Sequence, residues 1–495
     1  MRLFLICLSI TALLMSSAFA VPYASYIRVS DITVQPGDGL DISYILNEDT
    51  DSITVELIPD GGGAAVATTT FTSPAAETTS GLHTVSWDGT ADFAGGTEVG
   101  EGDYRVQITA DNAAAAGWAE ITSNRSLDQY DEACVLETLF GGFSGKDVLI
   151  QFDPDSNLFG VLLISSCYSA PEHSGMIPLR TDLNTFGGGD GLADIVLQHP
   201  SGYVGNQGLW GSTFDPTMDD FIWVAGQDDT TTTLLNCDAG ALTIPAFMAD
   251  ADAENDLYGA GEYPRGIAIL ENGGTRYGLV ALGSNRIDMF TINTNNQAVG
   301  PLQDILETSN VNRYSRDVEL DAAGNLYWAT RTDDINVGLN GRVYRWDNAT
   351  VLAAIANPTG APLTDANATW IVDPPAGAIH LHTVTIAPDG EVYTSIRSSG
   401  IYSVGNVSLA SNVKTLGPSD LLIDYTAIGV DGWANSTLAA VSADPAGNLY
   451  VVETSNESIR CFGPGGTTSE TFVGPTSQTI TVATVTSVRD WNLYE

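Results

Sequence analysis

Lysine is nearly missing from this 495-residue chain, which has only Lys146 and Lys414, and its 18 basic residues stand against 61 acidic ones for a net charge of −43. So acidic a balance argues against nucleic acid and anionic membranes as partners, because phosphate contacts need Lys and Arg. It suits a solubilising exterior, or one that meets salt or calcium. Histidine is sparse too, at five residues. After residue 20 no apolar run approaches the roughly 20 residues that a spanning helix needs, so no membrane-spanning segment is expected. Also missing are a Gly-x-Ser-x-Gly elbow, a His-Glu-x-x-His pair and a phosphate-binding glycine loop with lysine. Carboxylates are so numerous that any glycosidase pairing would be arbitrary.

The one long apolar run opens the chain: MRLFLICLSITALLMSSAFA carries Arg2, the stretch Leu3 to Met15, then Ala18-Phe19-Ala20. That is the pattern of a secretory signal peptide, so residues 1–20 are set aside, the mature chain is expected to start at Val21, and the protein is expected to be secreted or held at the cell surface. Four cysteines then remain: Cys134, Cys167, Cys237 and Cys461. In an exported protein they allow two disulfides in three pairings, and none sits in a close-spaced cluster of zinc type.

What is present is a repeat. The stretch Asp321-Ala-Ala-Gly-Asn-Leu-Tyr327 recurs as Asp444-Pro-Ala-Gly-Asn-Leu-Tyr450, Ala387-Pro-Asp-Gly-Glu-Val-Tyr393 and Asp153-Pro-Asp-Ser-Asn-Leu-Phe159. Weaker copies begin at Asp215 and Glu271. Each follows an apolar strand, and several precede a second and third short strand, as in Gly341-Arg-Val-Tyr-Arg-Trp346. No helix-length period intervenes, and three or four short strands per unit make a propeller blade. Six copies predict six blades, with seven as the alternative. Pro264-Arg-Gly-Ile-Ala, the Gly-Asn-Leu-Tyr turn and Asn285-Arg-Ile-Asp-Met-Phe290 together resemble NHL-repeat propellers and their six-bladed relatives over roughly residues 130–495.

Residues 21–118 alternate differently, with strands such as 53–58 and 104–108 set among glycine-rich turns, which predicts a small β-sandwich. Gly81-Leu-His-Thr-Val-Ser-Trp87-Asp-Gly89, with Asp92, Gly95-Gly96 and Gly102-Asp-Tyr104, resembles the Ig-like module of flagellar hook-capping proteins. The resemblance implies that fold and an accessory role; Trp87 is read as a core plug. The expected architecture is therefore all-β: an Ig-like β-sandwich at 21–118, a linker or edge segment at 119–130, and a six-bladed propeller at 131–495. Propellers commonly complete a blade with strands from both chain ends, and a Cys134–Cys461 disulfide is expected to close the ring.

Aligning the copies places Lys146, Asp147, Trp210, Arg265, Arg316, Asp317 and His382 near the channel mouth, where ligands of such a fold are expected. Six-bladed lactonases and phosphotriesterases, which the fold resembles, imply a calcium held by converging Glu, Asn and Asp. Calcium takes six to eight oxygens, yet here Arg and His stand beside Asp147 and Asp317. His380 and His382 lie two apart on one strand face and could hold a metal with a third ligand. Asp250, Asp252 and Glu254 form an alternating acidic loop that could take Ca2+ or simply be solvated. The leading expectation is an exported, non-catalytic binding or scaffold protein for an extracellular protein or glycan. The alternative is a metal-dependent hydrolase or lyase working at the channel mouth.

Overall fold

The computed structural model describes residues 21–115, 117–124, 145–166, 175–184, 197–198, 209–218, 220–227, 232–238, 249–250, 264–283, 286–307, 313–332, 341–376, 378, 381–397, 399–405, 412–425, 439–453 and 458–484. These residues are organised almost wholly as β-sheet, with one α-helix at Asn348–Ala356. None of their helices is long and apolar enough to cross a membrane.

Six sheets form the propeller, and each opens on an inner strand: Gly145–Ile150, Leu209–Phe214, Pro264–Asn272, Arg313–Leu320, Leu381–Ile386 and Ala439–Ala443. Each inner strand pairs antiparallel with the next strand in sequence, and the sheets then run outward, so they count as blades 1 to 6. The inner strands neighbour one another in sequence order, and Ala439–Ala443 returns to Gly145–Ile150, so the ring closes at six. The strand Ala119–Asn124 supplies the outer strand of blade 6, antiparallel to Ser458–Gly463. The alternative of a seventh blade has no sheet among the described residues.

That closure replaces the expected disulfide. Cys461 is a free, buried thiol that faces Tyr450 on one side and Thr122 of the closing strand on the other. A ladder of backbone hydrogen bonds joins the two chain ends without a covalent bridge. Cys237, on the third strand of blade 2, is also free and buried. Cys134 and Cys167 lie outside the described residues.

The repeated acid explains itself in the turns. Asp321 Oδ1 accepts from the amides of Ala323 and Asn325 at 3.0 and 2.9 Å, while Oδ2 accepts from Asn325 Nδ2 at 2.8 Å and the Tyr327 hydroxyl at 3.1 Å. Gly324 follows at φ +78°, a conformation glycine adopts at no steric cost. Asp444 is bound in the same way by Ala446 and Asn448. In blades 1, 2, 4 and 6 the motif is an aspartate-anchored turn that precedes the second strand.

The sandwich packs the sheet Ala24–Val29, Leu40–Leu46, Gly81–Trp87 against a larger sheet built on Gly102–Ala115 and Ser52–Pro59. Alternation sets the core: Ile53, Val55 and Leu57 are fully buried with Trp87, whose Nε1 donates to the Thr90 carbonyl at 2.7 Å. Assigning everything after residue 131 to the propeller misses the end of the chain. Gly466–Val473 and Ile480–Val482 pair with Gly102–Ala115 inside the sandwich. The fourteen-residue Gly102–Ala115 strand is longer than its partner Ser52–Pro59, and its other edge would otherwise stay open to pairing. The returning segment covers that edge and adds Ile480 and Val482 to the core. The sandwich rests on the turn face of blades 1 and 6: Tyr26 N donates to Phe159 O at 3.2 Å, and Arg105 Nη2 to Asp155 at 2.6 Å.

Candidate functional site at the channel mouth

Inner strands begin at one end of the channel and run to the repeat turns at the other. With the sandwich on the turn face, the starting ends form the opposite face. There a local irregularity repeats. In five blades the pairing of the inner strand with its neighbour slips by one residue, skipping Lys146, Trp210, Arg265, Arg316 and His382 in turn. A β-bulge re-aims the side chain it carries and raises the local twist. Blade 6 pairs without a slip. Five of the seven mouth candidates thus occupy one equivalent position around the ring, and Asp147 and Asp317 follow directly after two of them.

The position after the bulge faces the next blade. Asp147 Oδ2 accepts from the Ser212 amide and hydroxyl, both at 2.7 Å. Asp317 accepts from its neighbour Val318 N at 2.9 Å and, across the seam, from Val384 N at 3.1 Å. An innermost strand has a sheet partner on one side only, so these carboxylates satisfy amides the ladder leaves over. Blades 2 and 3 carry glycine instead: a Cβ at Gly211 would lie 2.6 Å from Arg265 O, and one at Gly266 only 2.7 Å from Val318 N. Acid or glycine thus holds this position in blades 1 to 4, whereas blade 5 has Thr383 there.

Electrostatics tie blades 1 and 4 together across the axis. Burial raises the pKa of Asp147. Asp317 is raised by burial first and by the Asp147 charge second. Glu319, two residues on and therefore on the same strand face, is raised by burial and then by both aspartates. Three carboxylates share one channel, each favouring its proton. No motif in the sequence singles out Glu319; its only signal is the period of two from Asp317.

Above them, the Arg265 guanidinium lies 3.5 Å from the centroid of the Trp210 ring. His382 is buried, and Trp210 and Arg316 are half-buried. Asp250 stands away from this ring, on the short outermost strand Ala249–Asp250 of blade 2. His380, Asp252 and Glu254 lie outside the described residues. Calcium does not fit what is there: among the described residues no three His, Cys, Asp or Glu side chains are grouped to hold a metal ion. The carboxylates nearest the axis accept main-chain N–H bonds and favour protonation, which opposes a cage of six to eight charged or carbonyl oxygens.

No family model matches the chain, and no curated protein matches it. Solved structures do. A protein of unknown function from Bacteroides thetaiotaomicron is 10% identical, with 90% of this chain and 98% of that one covered at a TM-score of 0.36. A glucose dehydrogenase is 10% identical, with 65% and 97% covered at 0.36. A gluconolactonase from Xanthomonas campestris is 14% identical, with 53% and 81% covered at 0.29. At these TM-scores the likenesses carry no functional argument, and the fold rests on the sheet order and the closed ring.

Proposed function

We propose that this chain is an exported binding propeller that acts without catalysis, presenting its channel mouth to an extracellular protein or glycan while the sandwich docks or spaces it from the opposite face. The observation that carries this reading is the ring of five bulges, which brings Lys146, Trp210, Arg265, Arg316 and His382 to one equivalent position in a chain otherwise poor in basic residues. An indole with a guanidinium stacked on it offers a flat apolar face beside fixed donors, a surface suited to a sugar ring or a carboxylate. The NHL-like character of the blades and the hook-capping-like character of the sandwich belong to the same proposal, as does the signal peptide.

The weaker, alternative reading is a metal-dependent hydrolase or lyase of the lactonase-like kind: Asp147 raises the proton affinity of Asp317, and both raise that of Glu319, yet among the described residues no three such side chains are grouped to hold a metal. The two are separated by offering the mature protein and its Trp210→Ala variant, both checked for folding by circular dichroism, to an array of acidic and neutral glycans. Saturable binding that weakens at least tenfold in the variant supports the binding reading. Binding indifferent to Trp210, or metal-dependent lactone hydrolysis lost in Asp317→Asn, overturns it.

A further inference from the structure

Val21, the residue expected to lead the mature chain, is 4% exposed. Its nitrogen donates to Asn448 Oδ1 at 2.8 Å, and Asn448 Nδ2 donates back to Val21 O at 3.0 Å and onward to Asp444 Oδ2 at 2.7 Å. From the sandwich, Asn47 Nδ2 donates to the same Val21 carbonyl at 3.1 Å and Asn47 Oδ1 accepts Tyr23 N at 2.8 Å. Val21 is therefore clamped between the sandwich and the repeat turn of blade 6.

That turn differs from the blade 4 copy in what its asparagine oxygen holds and in its tyrosine, whose hydroxyl donates to Thr181 O instead of the turn's aspartate. In blade 4 the equivalent Asn325 Oδ1 accepts an internal amide, that of Asn348. In blade 6 the same atom of Asn448 is spent on Val21. Asp444 beside it is 0% exposed, and its donors are all neutral: the amides of Ala446 and Asn448 and the Asn448 side chain. The titratable groups that face it are Tyr23, Tyr450, Cys461 and Glu470, with Glu48 behind Cys461, and none of these carries a positive charge. A buried carboxylate with no cation is costly, and burial here raises its pKa to about 7.

We propose that the Asp444–Asn448 turn is a binding site for the α-ammonium of Val21, created when the leader is removed, and that this contact locks the sandwich onto the last blade. The inference rests on the export reading and on nothing at the channel mouth. Hydrolysis of the bond before Val21 by a signal peptidase consumes one water, leaves a carboxylate on Ala20 and frees the Val21 amine. That amine, with an ordinary pKa of about 8, takes up a proton at neutral pH. An amide N–H thereby becomes a cation one side chain away from the buried carboxylate, and the charge is balanced.

The test uses the exported protein, its start fixed by intact mass, beside a form that retains Ala20, each with and without Asp444→Asn. The Val21 form is expected to melt ~3 °C or more above the Ala20 form, and the difference is expected to vanish in Asp444→Asn. A second measurement does not depend on the variant folding: acylation of the α-amine at neutral pH, read by peptide mapping against the chain's only two lysines. The amine is expected to react at least tenfold more slowly in the native protein than in urea. A mature start elsewhere than Val21 overturns the latch while leaving the export reading in place, whereas an uncleaved chain overturns both. A start at Val21 with equal melts, a difference that persists in Asp444→Asn, or an amine acylated as fast folded as unfolded overturns the latch itself.

Discussion

Arg265 of blade 3 lays its guanidinium 3.5 Å from the ring centroid of Trp210 in blade 2, so the two stacked groups come from neighbouring bulges. Partly desolvated cation–π pairs contribute about 1–2 kcal/mol. Trp210→Ala should therefore lower the unfolding free energy by about that amount. Arg265→Lys, which keeps the charge but loses the planar stack, should recover less than half of it. Urea titration of the three proteins measures both, and a Lys variant as stable as the native chain would show that charge alone matters there.

Gly266 sits where a blade seam closes. Its added Cβ would fall 2.7 Å from Val318 N and 3.0 Å from the Asp317 Cα, backbone atoms that move only if the inner strand moves. Gly266→Ala should cost about 1–3 kcal/mol, the range for forcing extra atoms into a packed site. Gly100→Ala, where nothing lies within 4 Å of the new Cβ, is the control expected to stay near neutral. Midpoints in urea for the two variants give the comparison, and equal midpoints would mean the seam yields.

Much of this architecture was legible because local chemistry repeats. Asp321 and Asp444 anchor their turns through side-chain bonds to residues two and four positions on, so the pattern is written within five residues. The alignment of those turns placed Lys146, Trp210, Arg265, Arg316 and His382 at equivalent positions, and the bulges lie there. What stayed hidden depends on long-range pairing. Nothing near Gly466–Val473 announces that its partner is Gly102–Ala115, more than 350 residues earlier, because a strand's alternation specifies a face and not a neighbour. Cys461 misled for a related reason: its place in the last blade was legible, while the hydrogen-bonded ladder to Ala119–Asn124 that makes a disulfide unnecessary was not.

The thiols give a direct check of that closure. Cys237 and Cys461 are buried and free; burial pushes the Cys237 thiol up to about 12 and raises that of Cys461 well above the ordinary thiol range. Thiolates are the reactive form, so neither should react with a thiol reagent at pH 8 in the native protein, while both should do so in urea without reductant. Mapping of labelled peptides reads the outcome. Label on Cys461 only after reduction would restore the disulfide and remove the ladder's sole claim to closing the ring.

The channel acids set the pH dependence. Asp147, Asp317 and Glu319 have pKa values raised by burial, and those of Asp317 and Glu319 also by the neighbouring aspartates, so in the native state they hold protons that the unfolded chain releases near pH 4. Between that pH and the raised native values the folded state binds more protons, and stability must fall as pH rises through the window. Asp420, lowered by its hydrogen bonds and ion pair with Lys414 although partial burial opposes them, works the other way, but its contribution is lost only as pH falls into the ordinary carboxylate range, below this window. The protein should therefore lose on the order of 2 kcal/mol from pH 5 to pH 8, since a tenfold change in a group's proton affinity is worth about 1.4 kcal/mol. General repulsion in so acidic a chain adds to the same slope, so the native protein alone does not isolate the channel. Asp317→Asn with Glu319→Gln does: of the three channel acids only Asp147 is left to titrate, so the slope of unfolding free energy against pH should become shallower, with the part that remains shared by Asp147 and the buried Asp444. If the double variant keeps the native slope, the three carboxylates do not share a field and the axis is not where the stability is decided.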